Sequence, residues 1–206
     1  MNRYILDFDY TLFDTNAMRV VFQAELQKHC GVTIEQYQDA EKTITADGAL
    51  YSLDAHIIAL FPENDEREKG RAVAESMITR MGEWIYPDVV PTLKVLKKQQ
   101  HHITLLSFGS RDWQSLKISH SGITEFFDSI EIVEGPKTEP VHLFEQKSDE
   151  KIIFVNDRAR EIDELHGVFP HVEYVWIARE HTPYSQTPPT APCQQISSFS
   201  EIIGRL

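Results

Sequence analysis

Tyr4-Ile5-Leu6-Asp7-Phe8-Asp9-Tyr10-Thr11-Leu12-Phe13-Asp14-Thr15 is the stretch on which the fold of this chain turns. Its apolar opening, Tyr4-Ile5-Leu6, reads as a short buried strand. Two carboxylates, Asp7 and Asp9, then stand two residues apart where the strand should end. Like charges this close repel, so both stay ionised only when something positive lies between them. A divalent cation meets that need, and Asp-x-Asp is a natural oxygen-ligand pair for Mg²⁺. The competing reading is a strand end followed by an Asp-rich turn, because Asp and Thr also suit turns and helix caps.

Four more apolar runs look like core strands: Ile103 to Leu106, Ile130 to Val133, Ile152 to Val155, and Val172 to Ile177. Several lack strict alternation, as strands covered on both faces do. Helix-like stretches lie between them. Asp88 to Gln100 puts Val89, Val90, Leu93 and Leu96 near one face, and Asp112 to Ser121, Glu139 to Lys147 and Ala159 to His166 are shorter. Strand alternating with helix predicts βαβ units, hence an α/β fold with a Rossmann-like parallel sheet and helices on both faces.

Residues 16–84 break that rhythm. They hold no convincing strand but several helical periodicities, among them Val20-Val21-Ala24-Leu26 and Ala72-Val73-Met77-Ile78, with a breaker at Phe61-Pro62-Glu63-Asn64. The expectation is a helical cap domain at 16–84 inserted into a core made of 1–15 and 85–206. The charge run from Glu63 to Arg71 reads as a solvated helix face. Thr182 to Pro192, rich in Pro, Thr and Ser, reads as an extended loop. A short terminal helix is expected from Ser197, packing Phe199, Ile202 and Ile203 on the core. His101 and His102 are expected to be exposed, at the end of the sheet away from the aspartates.

The chain has 206 residues, enough for one sizeable domain with a smaller insertion. No apolar run approaches the roughly 20 residues that span a bilayer. Met1-Asn2-Arg3 runs straight into the first strand, without the basic and apolar regions of a signal peptide. Cys30 and Cys193 are far apart and in no Cys-x-x-Cys spacing, which fits two free thiols in a reducing cytoplasm. A formal net charge of −12 argues against broad binding of nucleic acid or of an anionic membrane. It leaves room for a small anionic substrate, since a metal and one or two local cations override the global field.

In open α/β sheets, ligands gather outside the carboxyl ends of the strands. Those ends carry an ordered polar set. Asp7 and Asp9 follow the first strand and Ser107 the second. The strand at Ile130 runs into Glu134-Gly135-Pro136-Lys137, and the strand at Ile152 ends in Asn156-Asp157, with Glu161 four residues on. On these residues, and on Tyr86-Pro87-Asp88-Val89 as re-entry from an insertion, the chain resembles the haloacid dehalogenase-like superfamily of phosphotransferases. The likeness covers nearly its whole length. It departs from the usual pattern at Thr138 after Lys137, at Asn156, and at Glu161, for which Asp163 is a competitor.

The resemblance implies a Mg²⁺-dependent phosphatase acting on a small phosphorylated metabolite. Asp7 would attack phosphorus to form an aspartyl-phosphate, and Asp9 would act as general acid, then base. Mg²⁺ would be held by Asp7, the backbone carbonyl of Asp9, and Asp157. Ser107 and Lys137 would bind the phosphoryl group, with Lys147 the weaker substitute for Lys137. Glu161 would orient Lys137 or a metal-bound water, and Thr11 would stabilise the turn. Asp157 has a rival role as a helix N-cap. Arg111, Trp113 and Arg158 lie beside these motifs, and Arg19, Lys42, Tyr51 and His56 are candidates for facing the site from the insertion. A phosphomutase sharing the nucleophile, and a phosphate-binding regulatory module with little turnover, are the alternatives. A dehalogenase is disfavoured because that chemistry needs no acid at Asp9.

Overall fold

A computed structural model describes residues 2–146 and 150–204. Their elements run β1 (Arg3–Leu6), α1 (Thr15–Cys30), α2 (Ile34–Ile44), α3 (Leu53–Leu60), α4 (Asn64–Ile78) and α5 (Val89–Lys98). There follow β2 (His102–Phe108), α6 (Arg111–Ser119), β3 (Ser129–Val133), β4 (Ile152–Asn156), α7 (Ala159–Val168), β5 (Glu173–Ile177) and β6 (Gln194–Ile196). The described residues fall into two compact units. One comprises Met1–Asp14, Ile85–Phe108 and Ile123–Leu206, the other Thr15–Trp84 and Gly109–Gly122.

The first unit is a Rossmann-like parallel sheet of six strands in the order β3-β2-β1-β4-β5-β6. Leu6 of β1 pairs with Leu105 of β2 on one side and Val155 of β4 on the other. The chain leaves β1 toward β2 and β3, then returns to its other side at β4. This makes the carboxyl ends of β1 and β4 the switch point, where such sheets hold ligands. Every residue of β1 and of β4 is buried, the two-sided burial that their unbroken apolar runs predicted. β3 is different. It is an edge strand with one neighbour, and Ile130 is 39% exposed, so it is not the core strand its composition suggested. β6, the opposite edge, was not foreseen. Its Gln194-Gln195-Ile196 has one apolar residue and no periodic signal.

Helix α7 packs on β4 and β5, sending Ile162 and Leu165 into a cluster with Phe144, Phe154 and Trp176. Helix α5 packs on β2 and buries Val89, Thr92, Leu93 and Leu96, an i, i+3, i+4, i+7 face that takes Thr92 in place of Val90. Pro91 is the third residue of α5, where backbone N–H groups have no intrahelical partner, so it removes no bond. The helix expected over Glu139 to Lys147 is instead one 3₁₀ turn, Val141–Leu143. Pro140 disfavours helical backbone at Glu139 and withholds an N–H. Lys147 lies outside the described residues. The terminal helix is a 3₁₀ turn, Phe199–Gly204, which buries Phe199 and Ile202. His101 and His102 are half-buried rather than exposed: His101 accepts a hydrogen bond from the Asn2 N–H at 3.1 Å and meets the Tyr4 ring edge-on.

In the second unit, α1 buries Met18, Phe22 and Leu26. This i, i+4, i+8 stripe leaves Val20, part of the periodicity that marks the helix, on the opposite side, 66% exposed. Helix α2 starts with a capping box, Thr33 accepting from the Gln36 N–H at 3.2 Å while the Gln36 side chain accepts from the Thr33 N–H at 2.8 Å. Gly70 is required by packing, since a Cβ there would lie 2.4 Å from the Phe61 ring. Arg67, in the charge run, caps the preceding bend by donating to the carbonyls of Phe61 and Pro62.

His56 of α3 is fully buried, between the Tyr37 carbonyl at 3.1 Å from Nε2 and the Tyr51 hydroxyl at 3.0 Å from Nδ1. The two contacts suit a neutral ring with its proton on Nε2, and burial pushes its pKa down to about 4. The unfolded chain therefore takes up a proton near the ordinary pKa of about 6.5, which the folded chain refuses until pH 4. This share of stability is complete above pH 6.5 and lost as the pH falls. Between pH 7.5 and 5.0 the loss from His56 should be about 2 kcal/mol. Urea unfolding at the two pH values checks it: His56→Phe should be less stable at pH 7.5 yet lose about 2 kcal/mol less than wild type on acidification.

Candidate active site

The strand pairing continues one residue past β1, where the Asp7 N–H donates to the Val155 carbonyl at 3.0 Å. Asp7 is thereby fixed at the carboxyl edge of the central strand and is 5% exposed. The chain then turns sharply. The Leu12 and Phe13 N–H groups both donate to the Phe8 carbonyl, and Tyr10 takes a left-handed conformation with φ of 60°. Non-glycine residues rarely adopt that conformation without support. Asp9, half-buried, sits in this turn and bridges to Phe13.

Lys137, which follows β3, reaches the same edge and is 4% exposed. Its ammonium donates to the Asp7 carboxylate and pairs with Glu161 Oε2 at 2.7 Å. Glu161, on the first turn of α7, also accepts from Asn156 Nδ2 at 2.8 Å and from the Arg158 guanidinium at 3.0 Å. Asp157 is 1% exposed at the end of β4. Its carbonyl accepts from Trp176 Nε1 at 2.8 Å, while its carboxylate Oδ2 is buried without a protein hydrogen-bond partner. The hydroxyls of Ser107 and Thr11 are buried and unpartnered in the same way. Buried polar atoms are normally satisfied, so such orphans at a strand edge are the mark of a ligand site.

Burial pushes the Asp7 carboxyl above its ordinary range, Lys137 opposes, and Glu161 and Asp9 push it further up. Burial and the Asp7 charge likewise hold Asp157 well above the carboxylate range against Lys137 and Arg158. Burial would lower Lys137, but Asp7 and Glu161 together raise it. Glu161 also resists burial, held down to about 2 by Lys137, Asn156 and Arg158. The site is thus a buried ammonium between two carboxylates, beside a third carboxyl whose Oδ2 has no hydrogen-bond partner.

Those features fit a divalent cation, which would relieve the repulsion between Asp7 and Asp157 and engage the orphaned Asp157 oxygen. Among the described residues, no three His, Cys, Asp or Glu side chains form a ready cage. The fit therefore rests on two carboxylates, Asp7 and Asp157, with backbone and water oxygens to complete the set.

The rival readings separate cleanly. Asp163 accepts from the Thr190 and Ala191 N–H groups, whereas Glu161 pairs with Lys137, so Glu161 is the acid that meets the ammonium. Asp157 is not a helix cap, since α7 has Arg158 at its N-cap position. In the second unit, Lys42 is exposed against Asp39, Arg19 pairs with Glu41, and His56 is enclosed. Two further residues take part in ways the sequence does not mark. Asn156 holds Glu161, and Tyr184, inside the loop expected to be merely extended, accepts from Arg158 at 2.6 Å and meets Tyr10 edge-on.

The model of the haloacid dehalogenase-like hydrolase family matches residues 4–164. Among solved structures, a haloacid dehalogenase-like hydrolase from Burkholderia xenovorans superposes with a TM-score of 0.79 at 16% identity, covering 98% of this chain and 95% of its own. The HAD-hydrolase YfnB from Bacillus subtilis, solved bound to magnesium, gives 0.65 at 16% identity, covering 98% and 97%. A 2-haloacid dehalogenase from Pseudomonas syringae gives 0.67 at 15% identity, covering 99% and 97%. A search of curated proteins finds no match.

Proposed function

The chain belongs to the haloacid dehalogenase-like hydrolases, and on that premise we propose that it is a Mg²⁺-dependent phosphatase of small phosphorylated metabolites. The observation that carries the reading is Lys137, a buried ammonium on Asp7, with the Ser107 hydroxyl and Asp157 Oδ2 buried and unpartnered in the same unit. A phosphoryl group offers three acceptor oxygens and negative charge, which suits an ammonium and a hydroxyl donor. Asp7 attacks phosphorus as the ester P–O bond breaks, giving an aspartyl-phosphate. Asp9 gives its proton to the leaving oxygen, then takes one from the water that attacks the aspartyl-phosphate and releases phosphate. Glu161 holds Lys137, and Thr11 supports the turn that carries Asp9. Asp7, the Asp9 carbonyl and Asp157 would hold Mg²⁺, which when bound neutralises phosphoryl charge. Residues 16–84 are assigned the choice of substrate.

Dehalogenases among the similar structures give a second reading, in which Asp7 displaces halide from carbon. Halide leaves without a proton, and Asp9 would then be idle. Asp9→Asn tests this directly: it should slow hydrolysis of an alkyl phosphate by about 10²–10⁴-fold, measured as phosphate release in Mg²⁺. An unchanged rate would leave Asp9 without its role.

The metal assignment has its own test. Asp157→Ala removes a buried carboxyl that burial and Asp7 disfavour in its charged form, so the metal-free variant should melt at or above the wild-type temperature. Mg²⁺ should raise the melting temperature of wild type and do little for the variant. Equal Mg²⁺-induced shifts would remove Asp157 from the metal site.

A further inference from the structure

We propose that Arg179 is a positioning residue for Asp9, acting through the turn between Asp9 and Phe13; this rests on the phosphatase reading above. Arg179 lies two residues beyond β5 and is 7% exposed. Its Nε donates to the Thr11 carbonyl at 2.8 Å. Its two terminal nitrogens donate to the two Asp88 oxygens at 3.1 and 3.0 Å. The guanidinium also lies over the Tyr86 ring, 3.8 Å from its centroid. All five donor directions of a guanidinium are fixed in one plane, so this arrangement aims Nε at a single backbone oxygen.

The Asp88 end is itself anchored. Its carboxylate accepts from the Ser198 hydroxyl at 2.7 Å and from the Phe199 N–H at 2.6 Å. Burial would raise Asp88, but Arg179 and Ser198 hold it below its usual range, so it is a charged partner at neutral pH. Tyr86, beneath the guanidinium, donates its own N–H to the Leu12 carbonyl at 3.0 Å. The turn after Asp9 is therefore gripped at two successive carbonyls, Thr11 by Arg179 and Leu12 by Tyr86. Between Asp9 and the first grip stands Tyr10, in its left-handed conformation. A non-glycine residue held there needs its surroundings to keep it, and the grip on Thr11 supplies that from one side. Asp7 has separate support, from the β4 backbone and Lys137. Loosening Arg179 should therefore displace the acid more than the nucleophile.

The readout follows from that asymmetry. An alkyl phosphate has a poor leaving group that needs Asp9's proton, whereas p-nitrophenolate leaves with little help. Arg179→Lys keeps a positive charge, but one ammonium cannot serve both Asp88 and Thr11 in the fork geometry. With Mg²⁺ present, it should lower kcat/KM, which reports the step that expels the leaving group and not the aspartyl-phosphate hydrolysis common to both esters, by about 10-fold or more on an alkyl phosphate and by less than about 3-fold on p-nitrophenyl phosphate. Asp88→Asn leaves the guanidinium but removes the charge that aims it, and should give the same pattern more weakly. It decides the matter if Arg179→Lys does not fold. Equal losses on both esters, or none, in a folded variant would overturn the role of Arg179. The reading beneath is checked separately: if wild type hydrolyses neither ester, the phosphatase assignment fails, and if Asp9→Asn shows no leaving-group dependence, the acid assignment fails.

Discussion

Asp7→Asn is expected to abolish phosphate release while leaving the protein folded. The amide has nearly the shape of the carboxylate and keeps an oxygen for Lys137, but it lacks the charge to attack phosphorus. Lys137 and Glu161 remain as a pair in the variant, so the ammonium is not stranded. Removal of an essential nucleophile can cost as much as about 10⁶-fold in kcat, below what a phosphate-release assay detects. A variant that keeps wild-type turnover would show that the reaction does not pass through Asp7.

Lys137→Met should have the largest combined effect on stability and activity. Methionine fills similar space, but it leaves Asp7 buried with no cation while Glu161 keeps Arg158 and Asn156. Removing one partner of a buried ion pair costs about 3–5 kcal/mol, chiefly the desolvation of the charge left behind. Without Lys137 the Asp7 carboxyl rises further above its unfolded value, so the folded chain binds a proton more readily than the unfolded one. The destabilisation is thus fullest at high pH and shrinks as the pH falls through the raised pKa. Urea midpoints in chelator at pH 7.5 and 5.5 should show the gap from wild type narrowing at the lower value. A gap that stays constant would mean that Asp7 does not bear the lost charge.

The central sheet was legible because burial on both faces writes itself into composition. Tyr4-Ile5-Leu6 and Ile152 to Val155 contain no charged residue and only the Tyr4 hydroxyl among polar side-chain groups, and they form the two strands that meet at the switch point. Edge strands carry less of that signal: the apolar run of β3 does not reveal its single neighbour, and Gln194-Gln195-Ile196 of β6 has no apolar run at all. Helical faces follow the 3.6-residue period rather than hydrophobicity alone, so Thr92 takes the buried place of Val90 on α5 and Val20 lies exposed on α1. Pro140 turned an apparent helix into a single 3₁₀ turn.

For the site, strand-end position was the useful signal, and it brought Asp7, Lys137 and Asp157 to one sheet edge from sequence positions up to 150 apart. It could not choose between Glu161 and Asp163, since both follow Asp157 at helical spacing. The choice is made by Asn156 and by the backbone at Thr190 and Ala191, whose contacts only the fold creates. Arg179 and Tyr184 were invisible for the same reason. Each lies in or near a polar loop, and nothing local marks a side chain that reaches back to the turn after Asp9.

The most direct measurement sets the two bond cleavages side by side in one preparation with Mg²⁺: phosphate released from p-nitrophenyl phosphate and chloride released from 2-chloropropionate, by wild type and by Asp7→Asn. Wild type should release phosphate in many turnovers, Asp7→Asn should release none, and neither should release chloride. Chloride release by wild type without phosphate release would contradict the account.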